Sequence, residues 1–366
     1  MSKGLSRRAV LLATILAFAL VAAACSSDDD AADETTTTAA ETTTTADAGV
    51  GGAWCEVTDT GGVDDKSFNQ LAWEGAQAAA AVYGGEARVL ESQGATDFEA
   101  HIQSFLNQGD CNLIITVGFL LGDATAAGAA ANPDQQFAIV DFGYDPVIPN
   151  VAGLVFTTHE AAFLAGYVAA DQTQTGIIGT FGGINIPTVS TFMEGYALGA
   201  AYYSEQKGKD VTVLGWDPET QEGLFTGNFE SLEDGRAFAE SLADEGADII
   251  LPVAGPVGLG AAALVQERGL RIIGVDADWT ETAPEFSDVI LTSVLKKIDV
   301  SVLGAAKAFV DGTFAGGVLV NTLAEDGVGI ASITNPLTDD ITTLNEELAT
   351  VAAGIIDGSI ISTTQG

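Results

Sequence analysis

A segment near residue 60 combines residue types that can bind a flat, polar organic molecule. Asp59 ends a predicted strand, a glycine turn follows, and the pair Phe68-Asn69 opens a predicted helix. Phe68 can stack on a planar ring, and such stacking contributes about 1–3 kcal/mol per base. Asn69 can donate and accept hydrogen bonds at once, as the edge of a heterocycle requires. The alternative is that Phe68 packs only as an apolar staple at the start of its own helix.

The other motifs do not predict catalysis. Residues 258–263 read GLGAAA with Asp276 and Asp278 downstream, which approaches a dinucleotide-binding fingerprint, but the motif lies late in the chain and its turn is too long. No G-x-S-x-G elbow is present, and with 51 acidic residues a pair of neighbouring acids is expected by chance. His101 and His159 are too isolated to form a zinc-type cluster. We therefore predict a binding protein, not an enzyme, without a cofactor or a metal.

Short apolar runs alternate with helix-length stretches between Cys55 and Asp276. Strands of this length separated by helices predict parallel sheets with right-handed crossovers, and two such sets predict an α/β protein with two doubly wound lobes. Ligands of such sheets bind beyond the carboxyl ends of the strands. Those ends carry mainly small residues and carboxylates, at residues 59–62, 118–119, 141–142, 182–183, 254–256 and 276–278.

The N-terminus has the pattern of an export signal. Lys3, Arg7 and Arg8 precede an apolar or small run over residues 9–24, which is shorter than the roughly 20 residues of a membrane span. We therefore predict a signal peptide over residues 1–24. The sequence Ala-Ala-Ala-Cys at residues 22–25 resembles a bacterial lipobox, in which Cys25 becomes lipidated and forms the new N-terminus. A twin-arginine signal is the alternative interpretation of Arg7-Arg8.

The segment after Cys25 predicts a tether. Residues 26–48 contain acids, threonine and alanine but no aromatic or large aliphatic residue, so they cannot bury enough apolar surface to order themselves. Their like charges favour an extended chain. We expect a lipidated, disordered tether over residues 25–52 that anchors an extracytoplasmic body to the cell membrane.

The charge of the chain excludes one class of partner. The 13 basic and 51 acidic residues give a net charge of −38. Such a surface repels phosphate backbones, so we predict no nucleic-acid binding.

Cys55 and Cys111 are the only cysteines besides Cys25. Export places them in an oxidising space, and each lies near the start of a predicted strand. Neighbouring parallel strands would bring these starts together, which predicts a disulfide. Two buried thiols are the alternative.

Residues Asp59–Gly75, which read DTGGVDDKSFNQLAWEG, resemble the opening signature of the basic membrane protein family of substrate-binding lipoproteins. These proteins serve ABC importers, and purine nucleoside receptors are their best-known members. Further matches follow in order, among them Phe137–Asp141, Gly274–Asp278 and Thr292–Lys296. The resemblance covers about residues 54–357.

The resemblance implies a type I periplasmic-binding-protein fold whose two lobes close on a ligand. The implied N-terminal lobe comprises residues 53–157 plus 291–320, and the C-terminal lobe comprises residues 158–290 plus 321–362. The chain would cross between the lobes near Thr157, Leu291 and Asn321.

The resemblance also implies roles for individual residues. In the first lobe it places Asp59, Phe68 and Asn69 along the cleft and Asp141 opposite the base edge. Phe229 occupies the place of the second stacking aromatic. The positions that hold the ribose correspond to Gly255, Asp276 and Lys296.

Three features depart from the family pattern. Trp279 follows Asp278 where the family often has Gln, residues 230–232 replace the usual Asn-Asp-Pro, and residues 216–226 do not align well. They concern the identity of the ligand and the role of Phe229.

Three functions follow as hypotheses. The first is a monomeric solute-binding lipoprotein that carries a nucleoside-like ligand to an ABC permease. The second is a sensing receptor of the same fold. The third is a nucleoside-processing enzyme that uses Asp59 and Asp276.

Overall fold

The computed structural model of the chain describes residues 49–364. The predicted signal peptide, Cys25 and the predicted tether up to residue 48 lie outside the described residues. The last part of the predicted tether is described, and Val50 donates its backbone N–H to the carbonyl of Tyr83 at 2.8 Å. Residues 49–52 therefore lie against the folded body.

Strands and helices alternate along most of the described chain. The strands are β1 (Ala53–Val57), β2 (Glu86–Leu90), β3 (Cys111–Val117), β4 (Phe137–Val140), β5 (Val151–Phe156), β6 (Ile177–Gly182), β7 (Thr212–Leu214), β8 (Trp216–Asp217), β9 (Glu222–Gly223), β10 (Ile249–Val253), β11 (Arg271–Asp276), β12 (Ile290–Lys296), β13 (Gly317–Asn321) and β14 (Val328–Ile330). The helices are α1 (Phe68–Tyr83), α2 (Ala95–Gln108), α3 (Gly122–Ala131), α4 (Thr158–Gln172), α5 (Pro187–Lys207), α6 (Leu232–Asp244), α7 (Val257–Arg268), α8 (Trp279–Thr282), α9 (Ile298–Val310) and α10 (Ile341–Ile356).

All the strands of the described chain except β8 and β9 form two six-stranded sheets, one in each lobe. The first sheet has the order β13-β5-β4-β3-β1-β2 and all its pairings are parallel. The second has the order β14-β12-β11-β10-β6-β7, in which only β14 is antiparallel to its neighbour. The inner strands are buried on both faces by helices, as parallel sheets require. This is the two-lobed α/β fold that the sequence predicted.

The chain passes between the lobes three times. It leaves the first sheet after β5, returns after β12, and leaves again after β13. The second passage differs from the expected crossing at Leu291, because β12 pairs with β11 and β14 along its length and belongs wholly to the second sheet. The chain crosses at Lys297, after which α9 packs on the first lobe beside α1. An apolar run alone could not indicate which of two parallel sheets it joins.

A disulfide joins Cys55 on β1 to Cys111 on β3, with their Cα atoms 5.9 Å apart. The two strands are adjacent in the first sheet, as the predicted pairing requires. Of the two alternatives from the sequence, the structure has the disulfide rather than two thiols.

The segment that did not align with the family forms a small hairpin. Gly215 takes a φ of 88°, and β7 ends just before it at Leu214. Trp216 then pairs with Gly223 in a separate two-stranded ribbon. The ribbon lies at the edge of the second lobe, next to β6 through a bridge between Gly182 and Phe225.

Candidate functional site

A cavity of about 600 Å³, partly open to solvent, lies between the two lobes. It is lined by all eight residues that the sequence comparison with the family singled out for the ligand site. These are Asp59, Phe68, Asn69, Asp141, Phe229, Gly255, Asp276 and Lys296.

The sheets bring the polar residues of the cavity together at strand ends. Asp59 follows β1 and Asp141 follows β4 in the first lobe, whereas Asp276 and Lys296 are the last residues of β11 and β12 in the second. Gly255 lies two residues beyond β10. The carboxyl ends of parallel strands share one edge of a sheet, and here the two edges face one another across the cavity.

One aromatic ring comes from each lobe. Phe68 is the first residue of α1 and packs partly against the first-lobe core while its side chain also lines the cavity. It therefore combines the packing role and the cavity role that the sequence left as alternatives. Phe229 comes from the loop before α6, and its ring lies on Gly183, where an added Cβ atom would be 2.3 Å from Cε1 of the ring.

Lys296 is a buried cation held by one acid and three rings. Its Nζ donates a hydrogen bond to Asp141 Oδ2 at 2.5 Å, and the two side chains are 2% and 8% exposed. The same Nζ lies 4.7 Å from the ring centroid of Phe68, 5.1 Å from that of Phe156 and 5.8 Å from that of Phe192. Electron-rich ring faces stabilise a cation at such distances.

The acids of the cavity differ in how far the charge of Lys296 offsets the effect of burial on their pKa values. Burial raises the pKa of Asp141, and the ammonium of Lys296 lowers it in part. Burial raises the pKa of Asp276 to about 7; Lys296 lowers it, and the carboxylates of Asp141, Asp65 and Asp59 raise it further. The Asp276 carboxylate makes no hydrogen bond to any described residue, so it is available to a ligand.

Asp59 is held by donors from its own lobe. Its Oδ1 accepts hydrogen bonds from Asn69 Nδ2 at 2.7 Å and from the backbone N–H of Gly61 at 3.0 Å. Burial raises the pKa of Asp59 to about 6, the two donors lower it, and Asp65 and Glu230 raise it. The Asn69 amide is thus already engaged inside the protein, whereas the sequence suggested that it was open to a ligand.

Another buried carboxyl group, that of Glu56, lies on β1 near Asp59. Glu56 is fully buried, and neither of its carboxylate oxygens has a hydrogen-bond partner within residues 49–364. Its burial, together with the charges of Asp65, Asp59 and Glu91, raises its pKa well above the usual range for a glutamate. The sequence gave no sign of it, because a single Glu within a strand is normally expected on an exposed face.

Several apolar cavity residues were not predicted. Phe192, Val189 and Ile186 come from α5 and the turn before it, and Phe119 follows β3. Phe192 lies inside an apolar helical stretch, where the sequence pattern did not separate a cavity residue from a core residue. Asp65 also lines the cavity, and the sequence did not distinguish it from the many other acids.

The glycines of the GLGAAA motif have packing roles. Gly258 and Gly260 lie in α7, where added Cβ atoms would be 2.8 Å from the Trp279 ring and 1.9 Å from the Leu232 carbonyl. They allow α7 to approach α8 and α6 closely. Within residues 49–364, no group of three or more His, Cys, Asp or Glu side chains is arranged to hold a metal ion. In the same range, none of the helices is both long enough and apolar enough to cross a bilayer.

Two doubly wound lobes, three connecting segments and a polar, aromatic cavity between the lobes define a two-lobed solute-binding protein. A family profile described as ABC transporter substrate-binding protein, PnrA-like, matches residues 55–364. The chain therefore belongs to this family, and the resemblance seen in its motifs is confirmed. The family consists of substrate-binding proteins rather than enzymes.

Individual relatives agree with this assignment. Basic membrane protein A of Borreliella burgdorferi is 33% identical over 306 residues, which cover 82% of this chain and 85% of the relative. A protein of Lactococcus lactis described as ABC transporter nucleoside-binding protein BmpA is 31% identical, with 83% and 87% covered. The crystal structure of an ABC transporter solute-binding protein from Aeropyrum pernix superposes with a TM-score of 0.74 at 28% identity, with 86% of this chain and 94% of that chain covered.

Proposed function

We propose that this substrate-binding protein binds a purine nucleoside outside the cell membrane and delivers it to an ABC permease. The observation that carries the proposal is that Phe68 and Phe229, one from each lobe, line a single cavity together with the carboxylate of Asp276, which accepts no hydrogen bond from the described residues. The description of the Lactococcus lactis relative as nucleoside-binding supports the same ligand class.

In this proposal the base is sandwiched between the Phe68 and Phe229 rings. Asp59 and Asp141 reach the polar edge of the base, and Gly255, Asp276 and Lys296 hold the ribose. The Asp276 carboxylate accepts no hydrogen bond from the part of the chain that the structure describes, so its oxygens are available to accept hydrogen bonds from two adjacent sugar hydroxyls. The arrangement satisfies the polar groups of a nucleoside while its flat face is buried against carbon.

The charges of the cavity favour a nucleoside over a nucleotide. Lys296 is the one basic side chain among the described residues that line the cavity, and it is already paired with Asp141. Asp59, Asp65 and Asp276 lie in the same cavity and would repel a phosphate group. A ligand without charge avoids this repulsion.

Binding would proceed by closure of the lobes about the three connecting segments. Closure removes water from the cavity, and each internal hydrogen bond becomes stronger in the lower dielectric. We further propose that the protein acts as a monomer, that residues 1–24 direct export, and that Cys25 carries the lipid anchor at the end of the acidic tether.

Calorimetric titration of the unliganded protein with inosine, guanosine and adenosine tests the proposal. We expect saturable binding of at least one of them, and binding at least a hundredfold weaker for inosine monophosphate and for free ribose. Absence of heat with all three nucleosides would refute the ligand class. Mass spectrometry of the recovered ligand distinguishes binding from the enzyme hypothesis. An intact nucleoside supports binding, whereas the enzyme hypothesis requires free base and ribose to accumulate.

A further inference from the structure

The side chain of Asn69 uses all its amide hydrogens within the protein. Its Nδ2 donates to Asp59 Oδ1 at 2.7 Å and to Asp65 Oδ2 at 3.0 Å, and its Oδ1 accepts from the backbone N–H of Asp59 at 3.2 Å. An amide nitrogen has two hydrogens, so no donor remains for a ligand. Asn69 is also only 1% exposed.

Asp65 fixes Asn69 from the other side. Its carboxylate accepts the backbone N–H groups of Ser67, Asn69 and Gln70 at 3.0, 2.8 and 3.1 Å. These groups stand at the start of α1, where backbone donors have no partner within the helix. Asp65 is thereby tied to the helix backbone, and Asn69 is held between this fixed acid and Asp59.

The two carboxylate oxygens of Asp59 differ in the hydrogen bonds that they accept. Oδ1 accepts two hydrogen bonds, from Asn69 and from Gly61, whereas Oδ2 accepts none from the described residues. Oδ2 lies beside the cavity wall, because a Cβ atom at Gly118 would be 3.3 Å from it and 3.4 Å from Cε1 of Phe68. The free oxygen and the ring on which a base would stack therefore both border the cavity wall at Gly118.

We propose that Asn69 is a positioning residue that orients Asp59, so that Asp59 Oδ2 accepts a hydrogen bond from an N–H or O–H group of the ligand. In this arrangement Asn69 makes no hydrogen bond to the ligand itself. This inference rests on the proposed function for the identity of the ligand, but the hydrogen-bond geometry on which it stands does not depend on that identity.

The same contacts keep Asp59 ionised among other acids. The titratable groups that interact with Asp59 through their charges are Asp65, Glu230, Glu56 and Asp276. All are acids and oppose its ionisation, whereas the donors of Asn69 and Gly61 favour it. Loss of the Asn69 amide should therefore make Asp59 easier to protonate and free to rotate away from the cavity.

A double-mutant cycle with inosine as the probe tests the proposal. We expect Asn69→Ala to weaken inosine binding about tenfold at pH 7.5 in the otherwise unchanged protein, but less than twofold in a protein that already carries Asp59→Ala. Gln70→Ala is the matched control, since the Gln70 side chain bonds to Glu74 and to no other described residue, and it should change the affinity less than twofold. A tenfold loss from Asn69→Ala in both backgrounds would show a direct contact with the ligand and overturn the proposal.

A second measurement needs no ligand. Carbon-13 NMR of aspartate carboxyl groups, with the Asp59 signal assigned through Asp59→Asn, should show a higher pKa for Asp59 in Asn69→Ala than in the unchanged protein. An unchanged Asp59 pKa would overturn the positioning role even if no nucleoside binds. If Asn69→Ala does not fold, Asn69→Ser replaces it, because the shorter side chain lacks the amide but fits the same space. Failure of the unchanged protein to bind any nucleoside, with the NMR shift present, would refute the proposed ligand alone.

Discussion

Asp141 and Asp276 occupy equivalent places in the two lobes, but among the described residues only Asp141 forms a hydrogen-bonded ion pair, with Lys296. Both stand at the carboxyl end of an inner parallel strand, both are 8% exposed, and their φ angles are 66° and 65°. Aspartate is one of the few residues that adopt this left-handed conformation readily. Lys296 binds Asp141, so of these two equivalent carboxylates one is neutralised by a cation and the other is open to a ligand.

The ring of Phe68 should contribute to binding more than to folding. Phe68→Ala should weaken inosine binding at least tenfold, which is about 1.4 kcal/mol, because one face of the base loses its stacking partner. The matched control is Phe105→Ala, which removes a ring of the same lobe that is 2% exposed in the core. Phe105→Ala should lower the melting temperature strongly and leave the affinity of the remaining folded protein unchanged. A larger loss of unliganded stability from Phe68→Ala than from Phe105→Ala would show that Phe68 is chiefly a core residue.

Gly183→Ala should displace the second ring. The added methyl group would meet Phe229 and also the Asn228 carbonyl, which lies 2.9 Å from the position of the new Cβ atom. We expect inosine affinity to fall about tenfold through the loss of stacking. Gly304→Ala is the control, since a Cβ atom there meets nothing within 4 Å and should stabilise α9 by about 0.5–1 kcal/mol. Equal affinities of Gly183→Ala and the unchanged protein would argue against a stacking role for Phe229.

Removing only one member of the pair of Lys296 and Asp141 should lower the free energy of unfolding strongly. Lys296→Met leaves the buried Asp141 carboxylate without its cation, and we expect about 3–5 kcal/mol less free energy of unfolding in urea. Adding Asp141→Asn should recover at least half of this loss without restoring inosine binding. Lys307→Met, which breaks an exposed pair with Asp311, should cost less than about 1 kcal/mol. A loss of similar size in both lysine variants would contradict the importance of burial.

Asp276 should make nucleoside binding depend on pH. Its pKa of about 7 means that it gains a proton as the pH falls from 8 to 6, and a protonated carboxyl accepts sugar hydroxyls poorly. Because ligand binding then requires loss of that proton, we expect the dissociation constant for inosine to rise about tenfold over this range. Titrations at pH 6, 7 and 8 measure the change, and Asp276→Asn should remove most of it, leaving the smaller part that Asp59, with a pKa of about 6, contributes near pH 6. A dissociation constant that is the same at pH 6 and pH 8 would contradict the assignment.

Glu56 should make the folded protein less stable as the pH rises. Its pKa is higher in the folded than in the unfolded chain, so the folded state holds the extra proton, and stability falls as the pH rises above the unfolded value towards the folded one. Glu56→Gln cannot ionise and should be about 1–2 kcal/mol more stable than the unchanged protein at pH 8, with a smaller gain at pH 5. Glu99→Gln on the exposed side of α2 should change stability by less than about 0.5 kcal/mol at either pH. The same gain from Glu56→Gln at both pH values would show that its ionisation is not involved.

The sequence by itself determined the alternation of strands and helices, the two lobes and the family. Apolar periodicity and turn residues are local properties, so the alternation of strands and helices predicted between Cys55 and Asp276 is present over most of the chain from β1 to β11. The eight cavity residues were found through the family motifs; five of them lie at or just beyond strand ends, which the parallel topology brings together.

Only the tertiary structure decided which groups meet and which remain free. Three contacts show this: β12 joins the second sheet, Lys296 pairs with Asp141 rather than Asp276, and Asn69 bonds to Asp59 and Asp65. Each depends on how separate chain segments pack against one another. Glu56 shows the same limit, since its burial without a partner depends on the helices that cover its strand. Residue types fix which hydrogen bonds and charges are available, but the relative placement of separate chain segments fixes which of them are satisfied.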